Sequence, residues 1–183
     1  MPLVTDSSPG PRSQTDDLLQ SFRFRVFEED GGPGFITPAA GFNNVVIPDI
    51  TLEEVMYREG HRTFTLKFPG VPTVANTTYQ RGVARSDTEL FDWLRQGVLG
   101  KGRYRANHLI KQYDQSNTGE NADDVAARQI HCKNVWPLRV KPMGDLDANT
   151  SDVSIMECEC SVEEIELTAF TLEGTALAPI TAS

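Results

Sequence analysis

Residues 54–70, EVMYREGHRTFTLKFPG, carry two alternating runs around a short polar centre, and nothing else in the chain limits its fold so strictly. Period-two runs on either side of Glu59-Gly60 predict a β-hairpin. A two-residue turn there pairs Arg58 with His61, Met56 with Thr63, Glu54 with Thr65 and Leu52 with Lys67. Those side chains share a mostly polar face, and Val55, Tyr57, Phe64 and Leu66 share an apolar one. A one-residue slip would invert the first strand. A lone hairpin is marginal in water, and open amphipathic edges invite pairing with other chains. The ribbon must therefore be covered, by its own domain or by another molecule.

The surrounding sequence predicts a mainly β domain over residues 21–170, with a flexible arm at 1–20 and a loose tail at 171–183. Phe22, Phe24 and Val26 alternate with Arg23 and Arg25, which marks a half-buried strand ended by Gly31–Gly34. Residues 35–47, 76–84, 103–113, 126–136 and 152–169 read as further strands, with a polar loop at 114–125. Along 152–169 the apolar phase shifts twice, as a bulge or bend would require. One helix is clear at 86–97: Ser86 and Glu89 form a capping box, and Leu90, Leu94 and Val98, joined by Phe91, form its stripe. Seven or more strands and one helix predict a β-sandwich or partly open barrel with the helix packed on it.

No catalytic constellation emerges. Cys158 and Cys160 share a strand face, but two thiols do not close a zinc site, and His131 and Cys132 point to opposite faces. The three cysteines (Cys132, Cys158, Cys160) fit buried apolar positions, and no metal or cofactor is expected. The N-terminal residues lack the pattern of an export signal, and no stretch is long enough to span a bilayer, so synthesis in a reduced cytoplasm without membrane anchoring is expected. The net charge of -9 lies entirely in the last stretch of the chain: residues 142–183 hold nine acids and no Lys or Arg. Residues 81–111 are locally basic. Opposite-sign patches predict head-to-tail self-association, with Arg81, Arg85, Arg103 and Arg105 meeting Glu157, Glu159 and Glu163 of a neighbouring copy.

Between residues 50 and 167 the order of segments resembles the tail-tube protein family of contractile-tailed bacteriophages and related extracellular injection systems. The segments are EEVMYREG (53–60), LKFPG (66–70), TTYQRGVARSDTELFDWL (77–94), NVWPLRV (134–140) and GDLDA (144–148), followed by DVSIMECECSVEEIEL. The resemblance implies a structural subunit, not an enzyme, assembled as hexameric rings stacked into a hollow tube. Each subunit would lend two hairpins to a pore-lining β-barrel, the first at 52–68 and the second from 103–113 and 126–136. Six copies of four tilted strands give a wall about 150 Å around and a channel wide enough for duplex DNA or a compact protein. Glu54, Arg58, Thr63, Thr65 and Lys67 would line the lumen, with the apolar face pressed on the subunit's own core.

The implied partners are further copies of the chain, a surrounding sheath, baseplate and tail-terminator proteins, and DNA or protein cargo passing without specific binding. The mature location would be a virion tail or an extracellular injection particle. A type VI secretion-like tube and a tube-initiating baseplate ring protein share the architecture. A monomeric ligand-binding β-barrel is the alternative of a different class.

Overall fold

The alternation around Phe24 becomes an edge strand, β1 (Phe24–Glu29), with Val26 turned into the core. The computed structural model describes residues 19–29, 41–61, 63–85, 87–100, 102, 104–114, 125–149, 151–169 and 180–182. Most of the expected arm and tail, the Gly31–Gly34 turn, the 115–124 part of the polar loop, Ser86 and Arg103 lie outside these residues.

Two antiparallel sheets make the body, and they share one long strand. In the first, β1 pairs with β6 (Ala106–Gln112), and β6 pairs with β7 (Arg128–Lys141). The early half of β7 also pairs with β9 (Glu164–Ala169), and β10 (Ile180–Ala182) lies on β9. In the second, the late half of β7 pairs with β8 (Ile155–Ser161), followed by β5 (Thr77–Gly82) and β2 (Asn44–Val46). The expected loose tail thus returns a short strand to the sheet at 180–182.

The crossing from one sheet to the other has a local cause on each strand. Asn134 takes a left-handed φ of 54°, and its amide donates to Asn107 Oδ1 at 3.0 Å. Asparagine tolerates that conformation better than most residues. The partner segment breaks at Val162-Glu163, where the Glu163 amide donates to the Lys133 carbonyl at 3.3 Å. The phase shift seen in the sequence after Cys160 is this break, so 152–169 is two strands and not one.

Helix α1 (Glu89–Leu99) packs on β7. It buries Leu90 and Trp93, while Phe91 and Val98 are exposed. The expected stripe through Val98 is therefore rotated toward Trp93, whose Nε1 donates to the Tyr104 carbonyl at 2.7 Å. The indole has more apolar area to hide than Val98 and a donor that must be satisfied once buried. Thr88 stands at the N-cap without a side-chain hydrogen bond, so the helix begins later than the expected capping box placed it. It ends at Gly100, with a left-handed φ of 60° and its amide on the Gln96 and Gly97 carbonyls.

The remaining pair, β3 (Ile50–Tyr57) and β4 (Leu66–Val74), forms a separate two-stranded sheet. Its root is tied to the body by Val74, which packs against the core.

Candidate assembly surface

Ribbon β3–β4 differs from the expected hairpin in register. Met56 faces Lys67, Tyr57 faces Leu66 and Val55 faces Phe68. The connection runs from residue 58 to residue 65 in place of a two-residue turn. A turn on Glu59-Gly60 of the favoured hairpin types would hold Glu59 at positive φ, at a steric cost. Asn134 is the only non-glycine residue with positive φ among the described residues. Because the pairing moved by an even number of positions, the two faces keep their membership. Glu54, Met56 and Lys67 share one, and Val55, Tyr57, Leu66 and Phe68 share the other. Lys67 Nζ sits 3.0 Å from Glu54 Oε1 on the first face. Arg58, Thr63 and Thr65, expected in the ladder beside them, lie in the connection.

A β-bulge interrupts the ribbon: Gly70 and Val71 of β4 oppose Glu53 alone, between the pairs Glu54–Pro69 and Leu52–Pro72. Glycine is favoured at the first bulge position, because a side chain there would be tight. A Cβ on Gly70 would stand 3.0 Å from the Glu53 carbonyl oxygen and 3.1 Å from Val55 Cγ2.

The expectation that the apolar face presses on the subunit's own core is overturned. Every residue of β3 is exposed, and Val55, Tyr57 and Phe68 retain 46%, 56% and 50% of their surface. Among the described residues, Val74 at the root is the ribbon residue that packs against the core. Strands β6 and β7, the expected second hairpin, do pair with each other, but as inner strands of the body with neighbours on both sides.

The charges also fall differently from the head-to-tail scheme. Arg81 is buried at 4% exposure, paired with Asp87 and with Glu89 at 3.5 Å, and stacked over Phe42. It is internal and not a surface cation. Arg105 pairs with Glu163, and Arg139 holds Glu157 at 2.6 Å and Glu159 at 3.3 Å. Lys133 holds Glu164 at 2.9 Å and Glu166 at 3.2 Å. Antiparallel pairing of β7 with β8 and β9 sets bases and acids across from one another, so one subunit neutralises much of its own acidic stretch. Hydrogen bonds from Asn76 and then Arg139 hold the Glu159 carboxyl below its usual range, and Arg105 does the same for Glu163. Arg85 is exposed and has no ion pair among the described residues.

His108 and the three cysteines are sealed. His108 is buried, with Nδ1 2.9 Å from the Tyr79 hydroxyl and its ring against Trp93. Burial pushes the Cys132 thiol up to about 12 and raises that of Cys160, with neighbouring Cys158 adding to the effect. All three cysteines are free and buried, with Cys158 and Cys160 sulfurs 3.5 Å apart. Among the described residues no cluster of three or more His, Cys, Asp or Glu could hold a metal. At pH 8, iodoacetamide is expected to leave all three thiols unmodified in the native subunit and to alkylate all three after unfolding in guanidinium, as mass spectrometry would read. Rapid native alkylation would contradict their placement. An open cleft of about 560 Å³, lined by Phe22, Phe24, Ile47, Ile130 and Leu167 among others, lies at one end of the body.

A two-sheet body carries an exposed amphipathic ribbon whose apolar face is open to other molecules. The sequence matches the family of T4-like virus tail tube protein gp19 over residues 20–166, and the chain belongs to that family. Solved structures share its fold. A chain in the sheath-tube complex of the extracellular contractile injection system PVC, in the extended state, superposes with a TM-score of 0.69 at 22% identity, covering 85% of this chain and 95% of that one. A chain of the anti-feeding prophage tube terminating cap does so with a TM-score of 0.69 at 14% identity, covering 91% and 99%. An Hcp protein crystal structure gives a TM-score of 0.54 at 9% identity, covering 87% and 99%. No curated protein sequence matches the chain. The chain is a tail tube protein.

Proposed function

We propose that this tail tube protein forms hexameric rings that stack into the inner conduit of a contractile tail or injection particle. It acts as a passive structural wall and not as an enzyme. Sheath surrounds the tube, baseplate and terminator proteins close its ends, and DNA or protein cargo passes along the lumen without specific binding. Its structural relatives, chains of a sheath-tube complex and of a tube terminating cap, support these partners. They favour the injection-particle setting over a type VI-like tube.

The bare ribbon is the observation that carries the proposal. Two strands with no support from the body are marginal alone, so a stable β3–β4 needs neighbours along its borders. In the assembled wall the Glu54–Lys67 face meets the channel, and the Val55–Tyr57–Phe68 face is covered by adjoining subunits. Arg85 remains an exposed cation available to a neighbouring copy. Cryo-electron microscopy of the purified chain, alone and co-expressed with its sheath, is expected to show stacked sixfold rings with Glu54 and Lys67 on the channel wall. A species that forms neither rings nor tubes under both conditions would overturn the proposal.

A further inference from the structure

The two long edges of the ribbon are chemically unequal, and the inequality can be read from the hydrogen-bond phase. At the root, the Ala75 amide donates to the Asp49 carbonyl at 2.9 Å. In an antiparallel ladder, bonded pairs alternate with pairs whose main-chain groups point away from the partner strand. Thr51–Thr73 is then a bonded pair, and Ile50–Val74 and Leu52–Pro72 face outward. Beyond the bulge the phase resumes, with Glu54–Pro69 and Met56–Lys67 facing outward and Val55–Phe68 bonded. Both prolines of β4 therefore fall where an outward amide would be, the position in which a strand tolerates proline.

The outer edge of β3 presents amides at Ile50, Leu52, Glu54 and Met56 in unbroken register. The outer edge of β4 presents them only at Lys67 and Val74, with Pro69, the bulge and Pro72 between. Proline and bulges are the devices by which natural sheets block pairing along an edge.

We infer that the outer edge of β3 accepts a strand from a second copy of this chain, while Pro69 and Pro72 close the outer edge of β4 to a continuous ladder. The inference rests on the tube reading above and gives the ribbon a direction within it. The second copy is the fitting occupant because the chain belongs to the tail tube family and this edge has no proline and, among the described residues, no strand paired along it. The seam along β3 is held by main-chain hydrogen bonds, whereas contacts along β4 are made by side chains.

Met56 and Lys67 form one rung, with equivalent outward amides on opposite edges, and so provide a matched test. Met56→Pro is expected to abolish rings and tubes in electron micrographs, and Lys67→Pro to assemble as the unsubstituted chain does. Hydrogen exchange on the unsubstituted chain supplies a readout independent of how the variants fold. On assembly the amides of Leu52, Glu54 and Met56 slow by roughly 100-fold or more, while that of Lys67 does not. Both variants blocked, both assembling, or protection at Lys67 equal to that at Met56 would overturn the inference while leaving the tube intact. Failure of the unsubstituted chain to form tubes would instead overturn the tube reading.

Discussion

Serine placed together at Val55, Tyr57 and Phe68 is expected to leave the melting of the isolated subunit nearly unchanged while eliminating rings and tubes. All three side chains are about half exposed on one face of a ribbon of which, among the described residues, Val74 packs against the core. Substitutions at such positions usually move stability by no more than about 0.5 kcal/mol each. In a domain of this size that totals a few degrees in Tm at most. Assembly is different, because there the same side chains leave water. Full burial of such a side chain contributes about 1.5–3 kcal/mol and about half of that remains to be gained here, so the triple change removes very roughly 2–5 kcal/mol from every subunit's contacts. Ring closure repeats that loss around the circle. Thermal melting of the monomer and negative-stain images of the same preparation separate the two effects. A large fall in monomer Tm would show that the ribbon packs on its own body, and persistent tubes would show that this face is not in a contact.

Much of this arrangement was legible before any coordinates, and what was not has identifiable physical causes. The ribbon's existence and the membership of its two faces follow from period-two alternation, which survives any even shift in register. The register itself does not, because it was anchored to a tight turn that Glu59 disfavours. The extension of β4 to Val74 was hidden by Pro69 and Pro72, which read as strand breakers but are tolerated where the amide would face outward. Arg81 looked like a surface cation by charge alone. Yet Thr77, Tyr79 and Arg81 form one alternating row on β5, all buried, and that row was visible in TTYQRG. The pairing of Arg139 with Glu157 and Glu159 could not be read, since it depends on which strand lies beside β7. The shift of phase after Cys160 did announce the crossing between sheets. Its counterpart at Asn134 left no signal, because a single residue changing φ alters no hydrophobic pattern.

Lowering the pH from 7 to 5 is expected to destabilise the unassembled subunit by about 2 kcal/mol through His108 alone, with about 4 kcal/mol lost by pH 3. Burial lowers its pKa from 6.5 to about 3. The folded state thus holds a neutral imidazole, while the unfolded chain takes up a proton near pH 6.5. The stabilisation is fully present above that value and is lost as pH falls toward 3, since the unfolded state binds the extra proton throughout the interval. Desolvation is the cause: the Tyr79 hydroxyl lies 2.9 Å from Nδ1, the Trp93 indole packs on the ring, and Glu28 and Cys132 are its partners on the two neighbouring strands. The first part of the interval belongs to this residue, because Glu159 and Glu163, whose carboxyls are held low, give up their contributions only below the ordinary carboxylate range. His108→Gln keeps a polar group for the Tyr79 hydroxyl and removes the titration. That variant is expected to start less stable at pH 7 but to lose little Tm between pH 7 and 5, where the unsubstituted subunit loses several degrees. Equal slopes for the two proteins would mean that His108 is not neutral and sealed between sheet and helix. Assembled tubes should hold the native fold further into acid than free subunits, because every contact that requires the folded state adds to its stability by mass action.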